Sequence, residues 1–149
     1  MTPSRYGDEF KVGDLHRTAA ITVTETHVVA WAGLTGDFYP LHMDREYAAK
    51  TQFGERLVHG PFIFALAVGL VAQAGFAGDA AIAWLGVDGM RMLAPVKIGD
   101  TVRVEVRVKE TRPTSNPRKG VQVWTYTVLN QRDEQVLVFD YQLMFHMRG

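Results

Sequence analysis

The chain has 149 residues, of which 47% are hydrophobic, enough to bury a core in one domain over residues 1–149. Its 16 Lys and Arg residues balance 16 Asp and Glu residues, and the zero net charge argues against a general nucleic-acid binder. The absence of cysteine excludes disulfides, thiolate catalysis and cysteine metal sites.

The N-terminal segment and the longest apolar run of the chain bear on its cellular location. Met1–Asp14 is polar and mixed in charge, unlike a signal peptide. The longest apolar run, Pro61–Ala72, is too short to cross a bilayer. We therefore expect a cytoplasmic protein that does not enter a membrane.

The first third of the chain predicts one strand followed by helical turns. Thr18–Thr24 has the composition of a strand. A helix follows, capped by Thr24 or Thr26 and stopped near Gly36. Because Pro40 keeps the residue before it out of the helical region, Asp37–Met43 is predicted to be irregular.

A second helical segment is more apolar. Asp44 is expected to cap a short helical turn, and Pro61 to begin the next helix, where its missing N–H costs nothing. This helix is apolar on every side up to Gly75, which predicts that protein covers most of its surface.

The C-terminal half predicts four strands of an antiparallel sheet. From Thr101, four valines alternate with charged residues, which is typical of a strand with one dry and one wet face. The other predicted strands are Ala81–Leu93, Gly120–Asn130 and Glu134–His146, and Arg112–Gly120 is predicted to be a polar loop. One dry helix and one long sheet imply an α+β fold in which the sheet curls around the helix.

Two segments carry residues suited to chemistry. Thr35–Asp44 places an acid, Asp37, and an imidazole, His42, on one short stretch. Downstream, His59 and Gly60 precede the apolar helix, whose first turn has free backbone N–H groups. An acid/base pair beside such donors suits reactions of an activated carbonyl group.

Each residue also has a structural explanation. Alone, Asp37 would most simply cap a turn, and His42 is equally well explained as a buried, hydrogen-bonded histidine. Together, with His59-Gly60-Pro61 downstream, they favour a catalytic pair, with His59 supporting the loop before the helix.

This layout and both segments resemble the MaoC-like dehydratases, the (R)-specific enoyl-CoA hydratase branch of the hot-dog fold. The family's Asp-x-Asn-x-x-His segment matches Asp37, Tyr39 and His42, and its His-Gly matches His59-Gly60. Ala94–Asp100 resembles the family's Pro-Val-x-x-Gly-Asp turn. Tyr39 stands where the family usually has Asn, and Val68 where some hydratases have a polar pocket residue.

The resemblance implies reversible addition of water to a trans-2-enoyl thioester, without a cofactor or metal. Asp37 and His42 would handle the water, and the Gly60 N–H would bind the thioester oxygen. Tyr39 and Phe62 would contact the substrate, carried by coenzyme A or acyl carrier protein. The family also implies a homodimer, or a trimer of dimers, with the active site at the subunit interface.

Other assignments of these residues stay open. The aromatic residues Phe62, Phe64 and Trp84 are expected in the core, although some can line an acyl pocket. Arg112, Arg118 and Lys119 are most simply solvated, or else bind the phosphates of coenzyme A. His42, Asp44 and His59 are conceivable metal ligands, but no helical ligand spacing supports a metal site.

Two other functions compete with the hydratase. A hot-dog thioesterase would use an acid near the same helix to attack the carbonyl or activate water. A non-catalytic acyl-thioester binding module would keep the fold alone, with Tyr39 crowding the water site. With only Ser4 and Ser115, both in predicted loops, a serine hydrolase is not expected.

Overall fold

The computed structural model describes residues 2–149 and contains one antiparallel sheet packed against one long helix. After a 3₁₀ helix at Gly7–Glu9, the helices are α1 (Glu25–Thr35), α2 (Pro40–Met43), α3 (Arg45–Ala49) and α4 (Gly60–Ala74). The strands are β1 (Leu15–Arg17), β2 (Ile21–Thr22), β3 (Ala81–Met92), β4 (Thr101–Pro113), β5 (Lys119–Leu129) and β6 (Gln135–His146). Their order is β1-β4-β5-β6-β3, with β2 also paired to β4.

The core lies between the sheet and α4. On β4 the predicted alternation is confirmed, because Val102, Val104, Val106 and Val108 are all buried. They share one hydrophobic cluster with the buried α4 residues Ile63, Ala67, Leu70 and Val71. The predicted hot-dog arrangement, a long sheet around a central helix, is therefore confirmed.

The first predicted strand is wrong. Instead of one strand over Thr18–Thr24, β1 and β2 pair separately with β4. Between them the Thr18 hydroxyl accepts the N–H of Val104 at 2.9 Å, which interrupts the backbone pairing. The helix after it is confirmed, since α1 follows Thr24 and ends at Gly36 in the left-handed region, with φ 80°.

The segment Asp37–Met43 is irregular only in its first half. Tyr39 is extended, as Pro40 requires, with ψ 133°. Pro40 itself begins α2, because its fixed φ suits the first position of a helix, so the prediction for Pro40–Met43 is wrong. The predicted cap on α3 is confirmed by the Tyr47 N–H, which donates to Asp44 Oδ1 at 2.9 Å.

The structure moves two predicted boundaries. Helix α4 begins at Gly60, one residue before Pro61, and ends at Gly75, with φ 69°. The loop predicted at Arg112–Gly120 is shorter, because β4 and β5 extend through Pro113 and from Lys119. Within residues 2–149, no helix combines the length and apolar character needed to cross a membrane.

Strand β3 is the edge of the sheet, and most of its side chains are exposed. The expectation that Trp84 lies in the core is wrong, since it is 56% exposed and stacks on Tyr141 with ring centroids 5.7 Å apart. Ile82, Leu85, Met90 and Met92 are also exposed. The strand thus presents an apolar, unpaired edge.

Candidate active site

A cavity of about 350 Å³ lies at the N-terminal end of α4. His42 from α2 and Gly60 from α4 line it, together with Met92 at the end of β3. The remaining lining is mainly apolar and comes from Phe53, Leu57, Val58 and the segment 93–96. The cavity therefore combines a few polar groups with apolar walls, as substrate pockets do.

The surroundings of His42 determine its tautomer. Its Nδ1 lies 2.8 Å from the carbonyl oxygen of Leu57, and a carbonyl only accepts, so Nδ1 carries the proton. In the neutral ring Nε2 is then a free acceptor.

Arg56 donates to the His42 carbonyl at 2.6 Å and binds both carboxylate oxygens of Glu25, at 2.9 and 3.0 Å. Arg56 thus ties helix α2 to the start of α1.

His59 supports both members of the predicted pair. It is fully buried, and its Nε2 donates to the carbonyl oxygen of Asp37 at 2.9 Å. Its ring stacks on that of His42, with centroids 4.1 Å apart. Its Nδ1 is buried without a hydrogen-bond partner among the described residues. The contacts of His59 with the Asp37 carbonyl and the His42 ring are consistent with the supporting role predicted for it.

Asp37 is half-buried beside these rings. One carboxylate oxygen accepts the N–H of Tyr39 at 3.3 Å, which closes a local turn. Asp37, His42 and His59 each offer one possible metal-ligand atom, all within 4.8 Å of one another. The carboxylate of Asp44, the third conceivable ligand of the sequence, caps α3 instead.

Gly60 has the position expected of an oxyanion donor. It is the first residue of α4, where the N–H has no partner within the helix, and Pro61 after it has no N–H to offer. The helix dipole adds partial positive charge at this point. A Cβ at Gly60 would meet Met92 Cγ at 3.6 Å, an ordinary contact, so space alone does not require a glycine here.

The other two predicted contact residues lie at the margin of this site. Tyr39 is 54% exposed, and its ring centroid is 6.0 Å from that of His42. Phe62 packs toward α1, with ring centroids 5.6 Å from Trp31 and 5.8 Å from His27. Neither is among the residues that line the cavity. Their contact with substrate stays a prediction.

The basic residues considered for coenzyme A lie at the opposite end of the sheet. Lys119 pairs with His146 on β6, whereas Met92 of the cavity pairs with Leu137 near the other end of β6. Arg118 directly precedes Lys119. Arg112 lies near the C-terminal end of β4, where it pairs with Val121 of β5. Within one chain these cations are thus remote from the cavity.

Residues 10–130 match the family model described as "MaoC like domain". The chain belongs to the MaoC-like domain family. Its Asp37, His42 and Gly60 all fall inside the matched segment.

Curated relatives of this MaoC-like chain include two from bacteria. Protein MaoC of Klebsiella aerogenes is 41% identical over 105 residues, covering 70% of this chain and 31% of the relative. The 3-hydroxybutyryl-CoA dehydratase of Methylorubrum extorquens is 34% identical over 108 residues, covering 72% of this chain and 66% of the relative. The chain thus spans less than two thirds of the length of these relatives.

Solved structures match the MaoC-like chain over almost its full length. A monoamine oxidase regulatory protein from Archaeoglobus fulgius has a TM-score of 0.92 and 34% identity, covering 97% of this chain and 96% of that one. The (R)-hydratase from A. caviae involved in PHA biosynthesis has a TM-score of 0.76 and 27% identity, covering 92% and 98%. The hot-dog fold is therefore shared with both.

Proposed function

We propose that this protein is an enoyl-thioester hydratase/dehydratase that reversibly adds water to a trans-2-enoyl thioester, giving an (R)-3-hydroxyacyl thioester. The observation that carries the proposal is the meeting of three groups at one end of α4. Asp37 and the free nitrogen of His42 are acceptors, and the Gly60 N–H is a donor at the helix start. Membership of the MaoC-like family supports the same reaction class.

The acceptors are suited to hold one water. A water molecule donates two hydrogen bonds, and Asp37 and the His42 Nε2 supply one acceptor each. In the hydration direction the water oxygen bonds to the β-carbon of the enoyl group, while the pair takes one water proton. The same pair returns a proton to the α-carbon, so H and OH add across the double bond and nothing is oxidised or reduced.

The donor is suited to the charge that this addition creates. As the oxygen–carbon bond forms, electron density moves onto the thioester oxygen and an enolate develops. The Gly60 N–H, with the dipole of α4 behind it, would stabilise that oxygen more in the transition state than in the ground state. The proposal requires no cofactor or metal.

The substrate class rests on the names of relatives. One relative is named a 3-hydroxybutyryl-CoA dehydratase and one structural neighbour an (R)-hydratase. A relative from Arabidopsis thaliana is named a 3-hydroxyacyl-[acyl-carrier-protein] dehydratase, so coenzyme A and acyl carrier protein are both candidates for the carrier. A cytoplasmic location is part of the same proposal.

We also propose that two copies pair through β3 into a homodimer, or a trimer of such dimers. This strand is the sheet edge and carries exposed Trp84, Leu85 and Met90, whereas edges that remain free are usually charged, short or covered. Antiparallel pairing about a two-fold axis places the Met92 end of one copy against the Ala81 end of the other. It also brings the basic β4–β5 end of one copy nearer the cavity of the other.

The deciding experiment is an assay of the purified protein with crotonyl-CoA, before and after dialysis against EDTA. We expect the enoyl absorbance to disappear at an unchanged rate after dialysis, and chiral analysis to give the (R)-3-hydroxy product. Release of free thiol would identify a thioesterase instead. Tight binding without turnover would identify a binding module, and loss of activity restored by a divalent cation would make Asp37, His42 and His59 a metal site.

A further inference from the structure

A second cavity, of about 250 Å³, lies at the other end of α4, between the helix and the sheet. Val68 and Val71 of α4 form one side, and Trp124, Tyr126, Tyr141 and Leu143 of β5 and β6 form the other. We call it the tyrosine pocket. It includes Ala81, the first residue of the exposed edge strand β3.

The two tyrosines are the distinctive feature of this pocket. Tyr126 is 2% exposed and Tyr141 8% exposed, yet neither hydroxyl has a hydrogen-bond partner within residues 2–149. The Trp124 Nε1, the other polar side-chain atom of the lining, already donates to Gln122 Oε1 at 2.9 Å. Neither hydroxyl is among the fully enclosed unpaired atoms of the described residues, so both are open to hydrogen-bond with a ligand group that enters the pocket.

The lining also limits the chemistry of that group. Burial raises the pKa of both phenols, and Tyr141 raises that of Tyr126 further, so both remain neutral and able to donate. No residue that lines the pocket is charged. A carboxylate there would be desolvated without a compensating cation, whereas a hydroxyl or keto oxygen needs only a hydrogen bond.

The position of the pocket connects it to the reaction. In the β3-paired dimer proposed above, Met92 lies at the cavity of one copy and Ala81 at the tyrosine pocket of the other. A thioester held at Gly60 of one copy can therefore extend its acyl chain into the second copy. The helix of each copy would supply its N-terminus to one substrate and its C-terminal half to the other.

We propose that Tyr126 and Tyr141 are specificity-determining residues that select acyl groups bearing a neutral hydroxyl or keto oxygen away from the reacting double bond. This inference rests on the proposed hydratase function and names its substrate class more closely. The aliphatic part of such an acyl group would pack on Val68 and Val71, and its oxygen would pair with the phenols.

The test compares trans-2-enoyl-CoA pairs of equal chain length, with and without a terminal hydroxyl, over six to twelve carbons. We expect wild type to prefer the hydroxylated member at one length by roughly threefold to tenfold in kcat/KM, the range of a neutral hydrogen bond. Tyr126→Phe with Tyr141→Phe removes only two oxygens and should abolish the preference, so that the double variant gives the same kcat/KM for both members of the pair. Tyr6→Phe, which alters a tyrosine outside the pocket, is the control.

A binding measurement separates this inference from the reaction itself. Calorimetry with the corresponding saturated acyl-CoA pairs needs no catalysis and should show the same tyrosine-dependent preference. If turnover is normal but wild type and the double variant treat both members alike, the tyrosine assignment is wrong. If the calorimetric preference is present but no enoyl-CoA is hydrated, the assignment stands and the proposed reaction is wrong.

Discussion

The two ends of α4 differ in kind. At its N-terminal end, polar groups are held in fixed orientations: His42 by Leu57, His59 by Asp37, and Gly60 by the start of the helix itself. At its C-terminal end, the pocket is apolar apart from two tyrosine hydroxyls, which have no hydrogen-bond partner within residues 2–149. Under the two proposals above, one end would serve chemistry and the other recognition.

This difference follows from how a helix presents its backbone. Its first turn has unpaired N–H groups and partial positive charge, which can stabilise a developing anion. Further along, every N–H is used within the helix, so only side chains can contact a ligand, and those of α4 that line the tyrosine pocket are aliphatic. Changes at the first end should therefore alter rate, and changes at the second should alter selectivity.

The largest effect is expected from Asp37→Asn. The amide keeps the size of the side chain but cannot accept a proton, and loss of a positioned acid/base group typically lowers kcat by about 10²–10⁴. The measurement is the hydration rate of crotonyl-CoA. Asp44→Asn, the same change at the cap of α3, should stay near wild type because Asn also caps well. Comparable rates for the two variants would remove Asp37 from the mechanism.

His42→Ala should lower kcat to a similar degree, because it removes the second acceptor of the water. Residues that serve one step act as a unit, so the double variant with Asp37→Asn should lose far less than the product of the single losses. A full kinetic cycle over the four proteins measures this. Fully multiplicative losses would show that Asp37 and His42 serve separate steps.

Trp84→Lys is expected to separate the two subunits, so that the active-site cavity of one copy no longer lies beside the tyrosine pocket of the other. A lysine on an edge strand opposes strand pairing, so the variant should be monomeric by light scattering and should lose most activity. Leu34→Lys, at an 82% exposed position on α1, is the matched control and should remain dimeric and active. A monomeric Trp84→Lys protein with wild-type turnover would contradict a site shared between subunits.

The smallest effect is expected from Tyr39→Asn, which restores the usual family residue. Because the Tyr39 ring lies near His42 but outside the cavity lining, we expect a change of a few fold in chain-length preference and little change in kcat for the best substrate. Tyr47→Phe removes a hydroxyl that contacts Tyr39 and keeps the ring in place, so it should leave the preference as in wild type. An unmoved preference in Tyr39→Asn would show that this ring does not contact substrate.

The sequence alone predicted the elements whose signals are local. The alternation on β4, the stop of α1 at Gly36 and the cap at Asp44 were all confirmed, because each depends on a periodicity or on one residue's backbone chemistry. It also identified Asp37, His42 and Gly60 as candidate site residues, through a motif within a short stretch and a glycine before an apolar helix. Only the prediction over Pro40–Met43 failed among these neighbouring residues, because proline can begin a helix as well as break one.

The tertiary structure decided what depends on distant partners. No local signal shows that the Thr18 hydroxyl accepts the N–H of Val104, that His59 stacks on His42, or that Arg56 joins helix α2 to Glu25. Nor does aromatic character alone show whether a residue is buried, since Trp84 is exposed at the sheet edge while Tyr126 is buried beneath α4. These outcomes are set by which strand is last in the sheet and which side chains the fold brings together, and neither is encoded in the spacing of neighbouring residues.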